Sequence, residues 1–427
     1  MSAPGLPLVA DFRADADMAW HRDRMCTQGE YVAQVQRLAA QLPSARHAIN
    51  LCENRYRFML AFAAICVRGQ TNLLPSNATP DAIADLQLRY PDSCVLRDAQ
   101  VDDSVIAPAT AVPSIAADHP AAMLFTSGST GVPQAHLKTW AATTVIARHL
   151  AQRLLGGARA QIVATVPPQH MYGLETTVLM ALAADCVVHG GRPFFPQDVT
   201  DALATMPAPR VLVTAPVHLR ALVESRAQLP PLSFILSATA PLALALAQAC
   251  EAAWQVPVYE IYGCTEAGST ATRRTTDGER WHLLADMRLT VAGGIATVHA
   301  DHLPGPTPLQ DQLELHDDEH FSLLGRNSDL LKVAGKRASL ADLTQRLLAI
   351  PGVDDAVIFN AADGESARLA ALVVAPGLSE AAIVDALATQ IDAAFLPRPL
   401  RKVAQLPRNA LGKLPRTLLL ELLAQPT

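Results

Sequence analysis

The stretch that most constrains the fold of this chain runs from Leu124 to His136 and reads LFTSGSTGVPQAH. The apolar pair Leu124 and Phe125 ends a run typical of a buried strand, and hydroxyl-bearing residues, glycines and turn formers follow. This segment cannot form the interior of a helix, because its glycines cost backbone entropy and Pro133 lacks an N–H donor. It can, however, present several backbone N–H groups and hydroxyls to one anion. The pattern therefore predicts a strand that leads into a phosphate-binding loop, although a short Gly/Ser run can also be a plain linker.

Strand-like and helix-like patterns alternate on both sides of this loop. Apolar residues recur at helical spacing in 28–43 and 56–68, and a further helix is expected over 138–155. Short apolar runs such as 161–167 and 210–216 are typical of buried strands. The alternation predicts an α/β fold with doubly wound layers of parallel sheet.

The pattern changes in the last third of the chain. Residues 280–300 alternate apolar and polar around a Gly-Gly pair, which predicts an antiparallel hairpin within a small β subdomain at about 270–326. The remainder has the pattern of a compact α+β unit. We therefore expect a large N-terminal domain over 1–326 and a small α+β C-terminal domain over 327–427.

Composition excludes several classes of protein. The chain has 427 residues, half of them hydrophobic, and a formal net charge of −6, which disfavours both disorder and general nucleic-acid binding. Its seven cysteines lack metal-ligand spacing. The N-terminus does not resemble a signal peptide, and the longest apolar windows are too short to cross a bilayer. These features predict a soluble cytoplasmic protein without membrane insertion and without a nucleic-acid partner.

The order TSGSTGxP resembles the phosphate loop of the adenylate-forming superfamily, which includes acyl-CoA synthetases, nonribosomal-peptide adenylation domains and luciferases. Further segments resemble this superfamily's motifs in its own order: PPQHMYG (167–173), SATAPL (237–242), YGCTE (262–266), GRNSDLLKVAGKR (325–337) and LPRNALGKLPR (406–416). The resemblance covers at least residues 121–416. It implies an acid–thiol ligase that transfers AMP from ATP to a carboxylic acid, releases pyrophosphate and passes the acyl group to a thiol, with ATP and Mg²⁺ as cofactors.

The resemblance also implies a nucleotide site. Its residues would be Thr126, Ser127, Gly128, Ser129, Thr130, Gly131, Ala238, Thr239, Ala240, Tyr262, Gly263, Asp311 and Arg326. The hydroxyl-rich loop would hold the β- and γ-phosphates, and the segment 238–240 would contact adenine. The ring of Tyr262 offers a face for adenine. Asp311 and Arg326 would bind the ribose hydroxyls.

Four residues are implied to take part in catalysis. Glu266 would hold Mg²⁺, a cation that prefers carboxylate and phosphate oxygens, and Thr265 would donate to the α-phosphate. Lys413 would bridge the substrate carboxylate and the α-phosphate, although a lysine is usually a solvated surface residue. His170 would act as a gate beside the carboxylate, or it is a satisfied core histidine.

The acyl pocket is implied to contain His170, Tyr172, Thr176, Gly263 and Cys264, although Tyr172 could equally be ordinary core. The segment PPQHMYGLE has no aspartate to pair with an ammonium group, so an α-amino acid is disfavoured. The compact chain resembles the small acyl- or aryl-acid ligases of aryl-polyene and xanthomonadin-type pigment pathways. That likeness implies an aromatic acid such as a hydroxybenzoate as substrate and the phosphopantetheine of an acyl carrier protein as acceptor.

Two departures from the family pattern keep other readings open. Gln134 stands where the phosphate loop usually ends in lysine, and Lys138, expected one helical turn further on, would point elsewhere. The resemblance implies that residues 327–427 form a mobile C-terminal cap domain on a hinge. Ser328 stands at the usual hinge position, and Lys332 falls where some relatives use a second-step lysine. The alternatives are a ligase that uses free CoA and a non-catalytic nucleotide-binding relative.

Overall fold

The computed structural model describes residues 4–75, 77–126, 134–326, 330–333, 336–361, 369–408 and 414–425. Several predicted site residues lie outside these ranges: Ser127, Gly128, Ser129, Thr130, Gly131, Ser328 and Lys413. For Arg326 and Lys332 the position on a strand is described.

The described strands, in chain order, are β1 (Gly5–Pro7), β2 (Asp17–His21), β3 (Arg24–Thr27), β4 (His47–Asn50), β5 (Thr71–Leu74), β6 (Ser93–Leu96), β7 (Ser114–Ala116), β8 (Pro120–Thr126), β9 (Gln134–Thr139), β10 (Gln161–Ala164), β11 (Val187–His189), β12 (Arg210–Thr214), β13 (Phe234–Ser237), β14 (Val258–Cys264), β15 (Gly268–Arg274), β16 (Trp281–Leu283), β17 (Arg288–Ala292), β18 (Ile295–His299), β19 (Thr307–Pro308), β20 (Asp311–Leu315), β21 (His320–Arg326), β22 (Leu330–Val333), β23 (Lys336–Ser339), β24 (Asp355–Asn360), β25 (Leu369–Val374) and β26 (Leu400–Lys402). The helices are α1 (Gln28–Gln41), α2 (Arg55–Val67), α3 (Pro80–Arg89), α4 (Trp140–Leu155), α5 (Met171–Gly173), α6 (Met180–Ala183), α7 (Pro196–Thr205), α8 (Pro216–Glu224), α9 (Leu244–Trp254), α10 (Leu340–Leu348), α11 (Glu380–Ala388) and α12 (Arg416–Ala424).

Two sheets form the large N-terminal part. The five-stranded sheet has the order β6-β4-β5-β8-β9, with all neighbours parallel except β8 and β9. The eleven-stranded sheet has the order β20-β21-β16-β15-β14-β13-β12-β10-β11-β2-β3, and its strands from β14 through to β2 are parallel. The predicted α/β class with doubly wound parallel layers is confirmed.

Helix α2 lies at the centre of the large core. Its sequence RYRFMLAFAAICV is apolar around nearly the whole circumference, which is typical of a helix buried on all sides. It packs against α1 and against strands β4 and β5, and the side chains of Phe58 and Phe62 are fully buried. The helix ends where Gly69 adopts a φ of +80°, a conformation that glycine reaches without a Cβ penalty.

The segment 134–155 differs from the prediction in one respect that matters for the site. The expected helix over 138–155 begins only at Trp140, because residues 134–139 form strand β9 against β8. Thr139 caps the helix by accepting a hydrogen bond from the backbone N–H of Ala142 at 3.2 Å. Lys138 therefore lies on a strand, where alternate side chains share one face.

Residues 270–326 are divided between two sheets. Strands β17 and β18 form the predicted hairpin around Gly293 and Gly294, both at positive φ, and β19 completes a three-stranded antiparallel sheet. Strands β15, β16, β20 and β21 instead extend the eleven-stranded sheet by antiparallel pairing.

The C-terminal part contains the sheet β24-β25-β26 and its own apolar core with α10 and α11. Helix α11 of this part begins at Glu380 and ends at Ala388. Asp355 on β24 pairs with Arg408 at 2.7 Å and faces Arg220 of the N-terminal part at 3.7 Å. The domain boundary at Arg326 stays a prediction. Within the described ranges, none of the helices combines the length and apolar character that a bilayer span requires.

Glu260 on β14 forms an ion pair with Arg273 on the neighbouring strand β15 of the eleven-stranded sheet. Its carboxylate accepts from Arg273 at 2.6 and 2.8 Å, from the Thr275 hydroxyl at 2.8 Å and from the Leu242 N–H at 2.9 Å. We expect Glu260→Ala to lower the free energy of unfolding by about 3 kcal/mol, because the buried guanidinium loses its counter-charge. Urea denaturation measures this change. Glu279→Ala, at an exposed position, is the control, and an equal small loss in both variants would contradict the expectation.

Candidate active site

The strand that leads into the hydroxyl-rich loop ends next to the YGCTE turn. Thr126, the last residue of β8, places its Oγ1 at 3.0 Å from Nε2 of His136 on β9. The same Nε2 lies 3.7 Å from Oε1 of Glu266, whose side chain is 38% exposed. Burial lowers the pKa of His136 below its ordinary value; the Glu266 carboxylate opposes this shift and Lys138 adds to it. The fold thus brings together the phosphate-loop entrance and the predicted magnesium ligand, with a histidine between them.

Lys138 lies two residues after His136 on the same face of β9. Its Nζ donates to the backbone carbonyl of Glu266 at 2.5 Å, and the residue is only 6% exposed. Burial lowers the pKa of this ammonium. Lys138 therefore stabilises the backbone of the turn that contains Glu266. The phosphate loop after Thr126 lies outside the described residues, so the direction of Lys138 relative to the phosphates stays a prediction.

Tyr262 and Asp311 meet at the edge of the eleven-stranded sheet. The Tyr262 hydroxyl donates to Oδ2 of Asp311 at 2.8 Å. The Tyr262 ring packs near Trp281 and Phe321, with centroid distances of 5.7 and 5.5 Å. Asp311 lies directly opposite Arg326 in the β20–β21 ladder. Three residues assigned to adenine and ribose are thus neighbours, and the tyrosine hydroxyl orients the aspartate.

The strand end at 238–240 shows a local conformation that is rare for its residue type. Thr239 has a φ of +79°, which is an outlier for a β-branched side chain. Among the described residues, its buried Oγ1 has no hydrogen-bond partner. Ala238, which follows β13, is buried, and Ala240 is half-buried. A strained backbone with an unsatisfied hydroxyl is typical of a ligand-binding position and fits the predicted adenine contact.

Gly263, Cys264 and Thr265 lead from β14 to the Glu266 turn. A Cβ at Gly263 would overlap the carbonyl oxygen of Gly268, so the tight β14–β15 pairing requires glycine there. Cys264 Sγ accepts from the Ala267 N–H at 3.4 Å, and burial raises the pKa of this thiol to about 12. The Cys264 thiol is therefore neutral and unsuited to act as a nucleophile, and its predicted place in the acyl pocket stays a prediction.

The segment that follows strand β10 supplies the predicted acyl-side residues. His170 directly precedes α5, and its carbonyl accepts from the Leu174 N–H at 2.8 Å. The Tyr172 hydroxyl lies 2.9 Å from the Leu236 carbonyl and 3.1 Å from that of Thr214. Tyr172 is thereby fixed at the carboxyl ends of β12 and β13, the edge of a parallel sheet at which ligands bind.

Thr176 and Glu175 face different spaces. Thr176 donates to the Tyr172 carbonyl at 2.6 Å and lines an apolar void of about 10 Å³, too small for an acyl group. Glu175, in a π-helical turn over Leu174–Leu179, lines a cavity of about 190 Å³. Burial raises the pKa of Glu175 to about 7, while Ser269 and Lys138 lower it. The structure thus places Glu175, rather than the predicted Thr176, beside the larger space.

The donor set suits magnesium better than a transition metal. Among the described residues there is no group of three or more His, Cys, Asp or Glu side chains that could enclose a metal ion. Glu266 is a partly exposed carboxylate beside the phosphate-loop entrance. Mg²⁺ is commonly bound by one or two carboxylates together with substrate phosphates and water, so the site fits Mg²⁺ accompanied by a nucleotide.

Three comparisons with known proteins identify the family and the fold. The sequence model of the family described as AMP-binding enzyme matches residues 38–290. The chain is 30% identical to a 4-coumarate–CoA ligase of Halorhodospira halophila, over 70% of this chain and 76% of that protein. It is 28% identical to a probable 2-succinylbenzoate–CoA ligase of Mycobacterium tuberculosis, over 71% and 84% of the two chains. The solved o-succinylbenzoate CoA synthetase of Bacillus subtilis, in complex with its acyl-adenylate intermediate, has the same fold, with a TM-score of 0.82, 19% identity and 99% coverage of both chains. The chain belongs to the AMP-binding enzyme family.

Proposed function

We propose that this AMP-binding enzyme, an AMP-forming acid–thiol ligase that uses ATP with Mg²⁺, activates an aromatic carboxylic acid such as a hydroxybenzoate. The acyl group then passes to the phosphopantetheine thiol of an acyl carrier protein. The observation that carries the proposal is the junction of Thr126 and His136, on the five-stranded sheet, with Glu266, which follows the strand of Tyr262, the partner of Asp311 on the eleven-stranded sheet. These groups can hold the phosphate and ribose parts of one nucleotide.

The first half-reaction joins a carboxylate oxygen to the α-phosphorus and expels pyrophosphate. The residues must therefore hold two anions in line and balance the charge at phosphorus. Asp311, oriented by Tyr262, accepts from the ribose hydroxyls, while Thr126 and the loop after it donate to the phosphates. Thr265 donates to the α-phosphate. Mg²⁺, when bound at Glu266, neutralises charge on the phosphate oxygens.

The acyl side is assigned to the segment after β10. His170 and Tyr172 would flank the carboxylate, and Lys413 would bridge the carboxylate and the α-phosphate. Tyr172 is held by backbone carbonyls of two strands, so it forms a rigid wall at the sheet edge. The order of the segments is that of the superfamily motifs, which supports these roles.

The acceptor separates two candidate functions. The compact chain resembles carrier-protein ligases, whereas the names of the relatives 4-coumarate–CoA ligase and 2-succinylbenzoate–CoA ligase favour free CoA. Both acceptors present the same phosphopantetheine thiol, so the adenylation site does not distinguish them. A non-catalytic relative is disfavoured because Thr126 and Glu266 both approach His136 and Asp311 is hydrogen-bonded by Tyr262, so the predicted phosphate-side and ribose-side residues are each held in place.

One experiment tests these assignments in sequence. Pyrophosphate release is measured with ATP, Mg²⁺ and a panel of benzoates, hydroxybenzoates, cinnamates, fatty acids and amino acids. Preference for an aromatic acid supports the proposal, and absence of release with every acid would leave only the non-catalytic reading. The preferred acid is then offered holo carrier protein or CoA. Faster consumption of the adenylate by CoA would replace the carrier-protein assignment with the CoA ligase.

A further inference from the structure

A cavity lies beside the predicted adenylation residues. It has a volume of about 190 Å³ and is bounded by strand β9, the start of α4, the segment after His170 and the turn at 302–304. Met171, the neighbour of His170, and Ala267, the neighbour of Glu266, both line it. A carboxylate held beside His170 would therefore extend its remaining atoms into this space.

Most of the lining is apolar, and five polar side chains interrupt it: Lys138, Thr139, Thr143, Glu175 and His302. The hydroxyls of the two threonines already have backbone partners in α4. Glu175 is fully buried, and its carboxylate accepts from the Ser269 N–H at 3.1 Å and from the Ser269 hydroxyl. Lys138 uses one ammonium hydrogen for the Glu266 carbonyl, and an ammonium group carries three donors. Nε2 of His302 is buried without a hydrogen-bond partner in the part of the chain that the structure describes.

A cavity with apolar walls and a few convergent polar groups is typical of a small-molecule site. Burying an ionised side chain without its full set of partners costs free energy, so polar groups in such a place normally have a ligand or a structural role. Lys138 and Glu175 each already have a structural partner, and each retains hydrogen-bonding capacity towards the cavity. That remaining capacity is what a substrate could use.

Resting on the proposed function, we propose that this cavity binds the ring of the aromatic acid and that Glu175 and Lys138 select a ring hydroxyl. A hydroxyl can donate to the carboxylate and accept from the ammonium at once, whereas an aromatic amino group is a poor acceptor and a second carboxylate would be repelled by ionised Glu175. Size agrees with one ring, because an apolar cavity of about 150 Å³ binds benzene. Ile146, Met171 and Leu303 supply apolar walls.

The test compares kcat/KM for a hydroxybenzoate and for benzoate in pyrophosphate release. The wild-type enzyme should prefer the best hydroxybenzoate isomer by about 10-fold to 100-fold, since a hydrogen bond to a charged group stabilises by about 1.5–3 kcal/mol. Glu175→Gln and Lys138→Met should each lower this preference towards 1. Lys138→Met is also expected to slow both acids, because it frees the Glu266 turn, so the ratio is the diagnostic quantity. Glu251→Gln, in an ion pair with Arg274 outside the cavity lining, should leave the ratio unchanged.

The outcomes separate this inference from the proposed function. Activation of benzoate and all hydroxybenzoates at equal rates would overturn the inference and leave the aromatic-acid ligase standing. A wild-type preference that survives in both cavity variants would also overturn it. Failure to activate any aromatic acid would overturn both. Thermal unfolding of Glu175→Gln shows whether that variant is folded. If Glu175→Gln is unfolded, Lys138→Met tests the selection of the ring hydroxyl through the second polar residue.

Discussion

Lys413→Ala should lower the rate of adenylate formation by about 10²-fold to 10³-fold while ATP binding stays near that of the unaltered protein. Lys413 lies outside the described residues, so the expectation rests on the motif LPRNALGKLPR. In that motif, a compact cation on a long stem would neutralise the charge that moves between the carboxylate and the α-phosphate. Because this charge develops in the transition state, its loss should affect kcat far more than nucleotide affinity. Pyrophosphate release and equilibrium ATP titration measure the two quantities.

The matched control is Lys402→Ala in the same C-terminal part. The ammonium of Lys402 donates to the Leu378 carbonyl at 2.5 Å, which gives it a structural role. We expect this variant to keep its adenylation rate within a few-fold of that of the unaltered protein. Equal activity of both lysine variants would show that Lys413 is a solvated surface residue. A parallel loss of ATP binding in Lys413→Ala would assign the lysine to nucleotide binding instead of catalysis.

Glu266→Gln should have a comparable effect, about 10²-fold or more on adenylation, accompanied by a higher Mg²⁺ requirement. The amide preserves the size of the side chain and its approach to His136, and it removes the negative charge that would attract the cation. Lys138 contacts the backbone carbonyl of Glu266, so the turn should keep its conformation in this variant. Rates of pyrophosphate release over a range of Mg²⁺ concentrations measure the change.

Glu224→Gln, on the exposed end of α8, is the control for the loss of a carboxylate. Its Mg²⁺ dependence should match that of the unaltered protein. If Glu266→Gln instead showed a lower rate with an unchanged Mg²⁺ profile, the side chain would act by orienting Thr126 and His136. An unchanged rate and an unchanged profile would remove Glu266 from the catalytic assignment.

Much of the fold could be predicted because the chain's local patterns agree with its global arrangement. The buried strands at 161–164 and 210–214 are short apolar runs, and the hairpin at 288–299 has a Gly-Gly turn that needs positive φ. The errors occur where tertiary pairing outweighs local propensity. Lys138 and Thr139 were predicted to begin a helix, yet they belong to strand β9, which completes the edge of the five-stranded sheet by pairing with β8.

Some residues of the candidate site could likewise be predicted from the sequence, and others could not. The family motifs predicted Thr126, Tyr262, Glu266 and Asp311. In the structure Thr126 and Glu266 both lie near His136, and Tyr262 is hydrogen-bonded to Asp311. His136 was missed, although its alternation with Lys138 after a proline is a pattern of period two that could have indicated a strand. The cavity role of Glu175 had no comparable signal, because a glutamate in an apolar helical run does not reveal what faces it.

What the sequence by itself determined is the order of strands, helices and motifs, because hydrophobic periodicity and turn residues act between near neighbours along the chain. What only the tertiary structure decided is which polar groups share a space. Lys138 lies far from Glu175 and Glu266 in the sequence. The fold places strand β9 next to the turn that follows β14, so Lys138 contacts the Glu266 carbonyl and lines the same cavity as Glu175. Burial and distance then set the pKa of each group, and both depend on packing between distant segments.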